Sequence, residues 1–135
     1  MKKFIIATTL ALGASLACAA DATLSDAQID AAFAKADANK DGTVSLAEAQ
    51  KFGITAKAFT KANPDKDGSL DKKEFVAAIE AQFEMANPDK DGSLDRQEAK
   101  KAGIKSAKTF DAANPDKDGT LDIAEFVAAL MAQAK

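Results

Sequence analysis

The chain has 135 residues, a formal net charge of −3, one Cys and no His, Trp or Tyr, a length that suits one compact domain or two very small ones. Without His it lacks the commonest general base and the commonest transition-metal ligand, so enzyme readings start weak. No basic patch is present, which argues against nucleic acid and anionic lipid as partners.

The first twenty residues read as a leader. Lys2 and Lys3 are followed by an apolar run over 4–16 and by Ala17-Cys18-Ala19-Ala20, the layout of a bacterial secretory signal peptide, too short and wrongly flanked for a membrane anchor. Cleavage is expected after Ala19 or Ala20, placing the mature chain in the periplasm or outside the cell. Cys18 permits a second, weaker reading as a lipoprotein, but the Leu expected three positions earlier is Ser15. With a plain signal peptide the mature protein has no thiol and a net charge of −5, because Lys2 and Lys3 leave with the leader. No later segment has the length and apolarity to span a bilayer.

The mature domain, 21–135, opens with Leu24 and a Ser25-x-x-Gln28 capping pattern, then Ile29, Phe33 and Ala36 at helical spacing. A twelve-residue stretch over 37–48 follows, reading DANKDGTVSLAE. The connector 49–62 contains Gly53-Ile54, a helix stop, and Thr55, a helix start. Residues 63–74 repeat the pattern as NPDKDGSLDKKE. Phe75, Val76, Ile79, Phe83 and Ala86 then form one apolar stripe, so 75–86 is expected as a single short helix. A third copy, NPDKDGSLDRQE, occupies 87–98, and Gly103-Ile104 and Ser106 repeat the stop and start. The fourth, NPDKDGTLDIAE, occupies 114–125 and runs into Phe126-Val127-Ala128-Ala129, a copy of Phe75-Val76-Ala77-Ala78. The repeats divide the domain into two halves, about 25–84 and 85–135, pairing loop one with two and loop three with four.

All four stretches fit the EF-hand calcium loop. Its ligands fall at positions 1, 3, 5, 7, 9 and 12: Asp37, Asn39, Asp41, Thr43, Ser45 and Glu48 in loop one; Asn63, Asp65, Asp67, Ser69, Asp71 and Glu74 in loop two; Asn87, Asp89, Asp91, Ser93, Asp95 and Glu98 in loop three; Asn114, Asp116, Asp118, Thr120, Asp122 and Glu125 in loop four. Position 7 serves through its backbone carbonyl and the Glu at 12 through two oxygens. Gly at position 6 allows the sharp bend, and the aliphatic residue at position 8 lets two loops pair as a short strand. A lone DxDG is often only an acidic turn. Here fifteen of the 21 acidic residues sit at ligand positions, which scattered surface charge would not produce.

The loops differ. Loop one has three ligating carboxylates, whereas loops two to four have four each, with Asn at position 1 and a stiffening Pro64, Pro88 or Pro115 at position 2. Only 23 large apolar residues lie beyond position 20, a thin core that metal is expected to supplement. The connectors are about half as long as in paired hands of the calmodulin type. Together with the leader and the repeated Asn-Pro-Asp-Lys-Asp-Gly-Ser/Thr-Leu-Asp, most closely over 63–98, they resemble the lanmodulin family of periplasmic lanthanide-binding EF-hand proteins. The resemblance implies a small helical bundle with metal loops at its ends and a preference for trivalent lanthanides. It assigns ligand roles to Asp65, Asp67, Asp71 and Glu74, to Asp89, Asp91, Asp95 and Glu98, and to Asp116, Asp118, Asp122 and Glu125. The family mostly has Asp at position 1, and loop one lacks both the Pro and the acid at position 9.

The sequence therefore predicts an all-α fold of four EF-hands with short shared helices forming a compact bundle. Calcium is the expected ion, trivalent lanthanides the alternative, and up to four ions are expected, with folding coupled to binding. Three roles share that chemistry: a metal buffer or metal-stabilised module, a lanthanide carrier, and a sensor exposing an apolar groove. Sparse Met85 and Met131 weigh against the sensor. No enzymatic activity is expected, and no protein partner is indicated.

Overall fold

Every helix among the described residues starts where a short polar side chain can satisfy its first orphan N–H groups. The computed structural model describes residues 23–134; the leader, its cleavage site and the Cys18 lipoprotein reading lie outside them. Helix α1 (Asp26–Ala36) is capped by Ser25, whose hydroxyl accepts from Gln28 N–H while the Gln28 side chain returns to Ser25 N–H. Strand β1 (Val44–Ser45) leads into α2 (Leu46–Phe52), followed by α3 (Ala56–Ala62), strand β2 (Ser69–Leu70), α4 (Lys72–Ala86), α5 (Arg96–Lys101), α6 (Ala107–Ala113) and α7 (Ile123–Gln133). The architecture is all-α apart from these two-residue strands.

The apolar residue at position 8 joins the loops in pairs. Val44 stands opposite Leu70 in an antiparallel ladder. Leu94 and Leu121 exchange backbone hydrogen bonds of 2.8 and 2.9 Å. All four side chains are fully buried, so each pair of loops is tied into the core at its centre. The four helices leading into the loops, α1, α3, α4 and α6, end on buried Ala36, Ala62, Ala86 and Ala113, small enough to let the loop backbone come close.

One helix, α4, is shared between loops two and three, as its stripe predicts. The other two connectors each hold two helices. Gly53 ends α2 with φ +118°, and a Cβ there would stand 2.7 Å from Leu130 Cδ2; backbone conformation and space both demand glycine. "Short shared helices" is therefore true of one connector of three.

The core is thin in the expected way: twelve of its 27 buried apolar residues are Ala. Its bulk comes from aromatic contacts. Phe75 receives Phe33 and Phe52 edge-on, each at 5.4 Å between centroids, and Phe83 meets Phe126 at 5.7 Å. Helix α7 packs against α1, α2 and α4, so the halves share one core.

Two glutamines, which the sequence reading passed over, fasten the connector turns. Gln82 on α4 is 2% exposed. Its Nε2 donates to Gly53 O at 2.8 Å and Ala102 O at 2.6 Å, and its Oε1 accepts from Thr55 N–H at 2.7 Å. Gln133 on α7 makes the matching bonds in the second half, to Gly103 O at 2.8 Å and from Lys105 N–H at 3.3 Å. Both stand eight residues after the closing Glu of their loop, at Glu74 and Glu125. That repeated spacing was the signal available to find them.

Candidate metal centre

Within each loop the backbone is bent by a left-handed residue at position 4 as well as by the Gly at position 6. Lys40, Lys66, Lys90 and Lys117 have φ between 55° and 61°, a conformation that costs a side-chain-bearing residue about 1–2 kcal/mol. The bend turns successive N–H groups inward. The carboxylate at position 5 accepts from the N–H at position 7 at 2.9 Å in all four loops. The oxygen at position 3 accepts from the N–H at position 5 at 3.1–3.4 Å. Thr43, Ser93 and Thr120 also donate their hydroxyls to the position 5 carboxylate.

Positions 9 and 12 have a second role that the ligand pattern concealed. Ser45, Asp71, Asp95 and Asp122 are the N-caps of α2, α4, α5 and α7, and each forms a capping box with the Glu three residues on. The closing Glu is thus positioned by the helix that it begins.

Loops two to four carry an unusual feature at position 1. Asn63, Asn87 and Asn114 are only 5, 5 and 4% exposed, and the Oδ1 of each is buried without a hydrogen-bond partner. A buried amide oxygen left unpaired costs about 1–3 kcal/mol, so three in equivalent places call for an occupant. That occupant must be an oxygen-seeking donor or cation. The donor set is amide, carboxylate, hydroxyl and carbonyl oxygen only, which fits a hard ion such as calcium. Asp37 at the same place in loop one is 7% exposed and paired: its Oδ1 accepts from Asp41 N–H at 3.1 Å and its Oδ2 from Gly42 N–H at 2.9 Å.

The carboxylates are not drawn into finished cages. Among the described residues no group of three or more His, Cys, Asp or Glu is gathered tightly enough to hold a metal. Like charges in one small loop separate and turn to the loop's own N–H groups. None of the three ion pairs among the described residues uses a loop acid; Lys61–Glu84, Lys72–Asp30 and Arg96–Asp111 spend the acids outside the loops instead. Hydrogen bonds from Thr43 N–H and Oγ1 hold the Asp41 carboxyl below its ordinary range. Those from Ser45 N–H and Oγ do the same for Glu48. Glu125 moves the other way, raised by burial against the Asp122 N–H bond, with the charges of Asp122, Asp116 and Asp118 adding to the rise.

A family model described as EF hand matches residues 29–52, which span most of α1, all of loop one and α2. Among solved structures, calcium-loaded apo-aequorin from Aequorea victoria is similar at 18% identity over 80% of this chain and 88% of that one, with a TM-score of 0.37. No curated protein matches the chain. The family match thus places an EF hand at residues 29–52, on the first of the four loops and the helices beside it.

Proposed function

We propose that this chain is an exported calcium-binding EF-hand protein, a metal buffer or metal-stabilised module whose folding is coupled to the ion. The observation that carries the reading is the set of three buried, partnerless oxygens at Asn63, Asn87 and Asn114. With Asp65, Asp67, Asp71 and Glu74, and their counterparts in loops three and four, they supply the hard oxygen ligands that calcium takes. Loop one offers Asp37, Asn39, Asp41, Ser45 and Glu48, for up to four ions in all. When bound, the ion supplies positive charge where carboxylates otherwise repel one another. The chain's own residues supply orientation: the position 4 and 6 bends aim the ligands, and the capping boxes fix the closing Glu. Binding rather than catalysis is the proposed role, in the periplasm or outside the cell.

A second reading rests on the four carboxylates in each of loops two to four. Four negative charges suit a trivalent ion better than three do, which keeps the lanthanide-selective role suggested by the lanmodulin resemblance in play.

Calorimetric titration of chelator-stripped protein with calcium, lanthanum and magnesium separates these readings. Calcium binding at micromolar concentrations, with lanthanum in a similar range, supports the first. Lanthanum binding orders of magnitude tighter than calcium supports the second. Absence of binding by all three ions would overturn both.

A further inference from the structure

The four loops fall into two classes, distinguished by what already satisfies their oxygens. In loop one, both oxygens of positions 1 and 12 are engaged. Asp37 accepts from Asp41 N–H and Gly42 N–H. Glu48 Oε1 accepts from Ala38 N–H at 3.1 Å and Asn39 N–H at 3.2 Å, and its Oε2 from Ser45 N–H and Oγ. The loop is closed on itself from entrance to exit. In loops two to four the position 1 oxygen is partnerless. There the closing Glu74, Glu98 and Glu125 accept a loop N–H through Oε2 alone.

The sequence explains the difference. One of the donors that engages Glu48 Oε1 is the N–H of position 2, and Pro64, Pro88 and Pro115 have none. Asn at position 1 likewise brings one acceptor oxygen where Asp37 brings two. Asn-Pro thus leaves cage oxygens uncommitted, whereas Asp-Ala commits them.

Resting on the metal-binding reading above, we infer that loops two, three and four are the working sites and that loop one takes an ion last. Asn-Pro at positions 1 and 2 is the determinant. An ion entering loops two to four meets oxygens that lack partners; one entering loop one meets Asp37 oxygens that each already accept an N–H and must displace the hydrogen bonds from Ala38 and Asn39 to free Glu48 Oε1.

The position 6 glycines, one per loop, allow the test. Calcium chloride is titrated into chelator-stripped, ¹⁵N-labelled protein, and the amide signals of Gly42, Gly68, Gly92 and Gly119 are followed by NMR, with bound calcium counted in parallel. The expected result is that Gly68, Gly92 and Gly119 move within the first three equivalents. Gly42, whatever shift folding gives it, reaches its calcium-saturated position only at free calcium at least about tenfold higher, the separation worth about 1.4 kcal/mol in affinity. In Ala38→Pro the lag of Gly42 should shrink or vanish. The backbone accepts that change, since Asp37 has ψ 80° and the residues before the three prolines have ψ 77–78°. If Ala38→Pro does not fold, the order in the parent protein decides alone. Gly42 reaching its calcium-saturated position with or before the others overturns the inference while leaving metal binding intact. A bound-calcium count of zero overturns the binding reading as well, and the two failures are told apart by that count.

Discussion

Replacing Gln82 with Leu removes the side chain that ties together the two connector turns and, through Ala102, the two halves. The geometry sets the magnitude. Three hydrogen bonds of 2.6–2.8 Å are lost, each worth about 1 kcal/mol net. The Ala102 carbonyl, whose bond to Gln82 is buried, is left without that partner, a state costing about 1–3 kcal/mol. Leu has nearly the volume of Gln and recovers part of the loss through apolar contact. The expected destabilisation is therefore about 2–4 kcal/mol, a large fraction of the 5–15 kcal/mol typical of a small domain. Urea unfolding of the calcium-loaded protein, followed by far-UV circular dichroism because the chain has no Trp or Tyr, measures it directly. Gln133→Leu should cost about half as much, since Gln133 is half-buried and makes two bonds, one of them long at 3.3 Å. The exposed Gln50→Leu should stay within about 0.5 kcal/mol. A Gln82→Leu effect below about 0.5 kcal/mol, or one no larger than that of Gln133→Leu, would refute the fastening role.

Gly53→Ala should destabilise by about 1–3 kcal/mol, because it combines a left-handed φ with a clash at Leu130; Gly42→Ala, with the same backbone problem but open space around it, should cost about 1–2 kcal/mol. Thermal melts of the two variants rank them. Phe75→Ala deletes the ring that Phe33 and Phe52 pack against and should cost about 3–5 kcal/mol, enough to abolish the helical signal in chelator and leave it recoverable only with calcium. Glu125 supplies a pH prediction for the metal-free protein. Its pKa in the fold is raised above the ordinary 4.5, so the folded state penalises the ionised form. The penalty is fully present above the folded pKa and gone below the unfolded one. Glu125→Gln should therefore stabilise metal-free protein at pH 7, by a margin that shrinks as the pH falls through the carboxylate range, while weakening calcium binding at loop four. An unchanged helical signal in chelator at pH 7 would contradict that assignment.

The repeat made much of this fold legible. A twelve-residue loop with Gly at 6, an aliphatic residue at 8 and Glu at 12 leaves few backbone paths, and the capped, apolar segments between copies can only be helices. The stops at Gly53 and Gly103 were visible because glycine is the residue that a left-handed helix end requires. Three features were not legible, each for a physical reason. Gln82 and Gln133 carry no pattern of charge or hydrophobicity, and their value depends on carbonyls 20–30 residues away. The capping role of Asp71, Asp95 and Asp122 was hidden because the same carboxylates fit the ligand pattern. The partnerless Asn oxygens are a matter of burial, and no sequence pattern states what a side chain fails to meet.

In the proposed coupling of folding to metal, an ion supplies free energy which this Ala-rich core does not. Far-UV circular dichroism of the protein in excess chelator, then with calcium restored, tests it most directly. A weak helical signal is expected in chelator and a large, reversible gain on calcium addition, saturating with the bound ions. A full helical signal in chelator, unmoved by calcium, would contradict it.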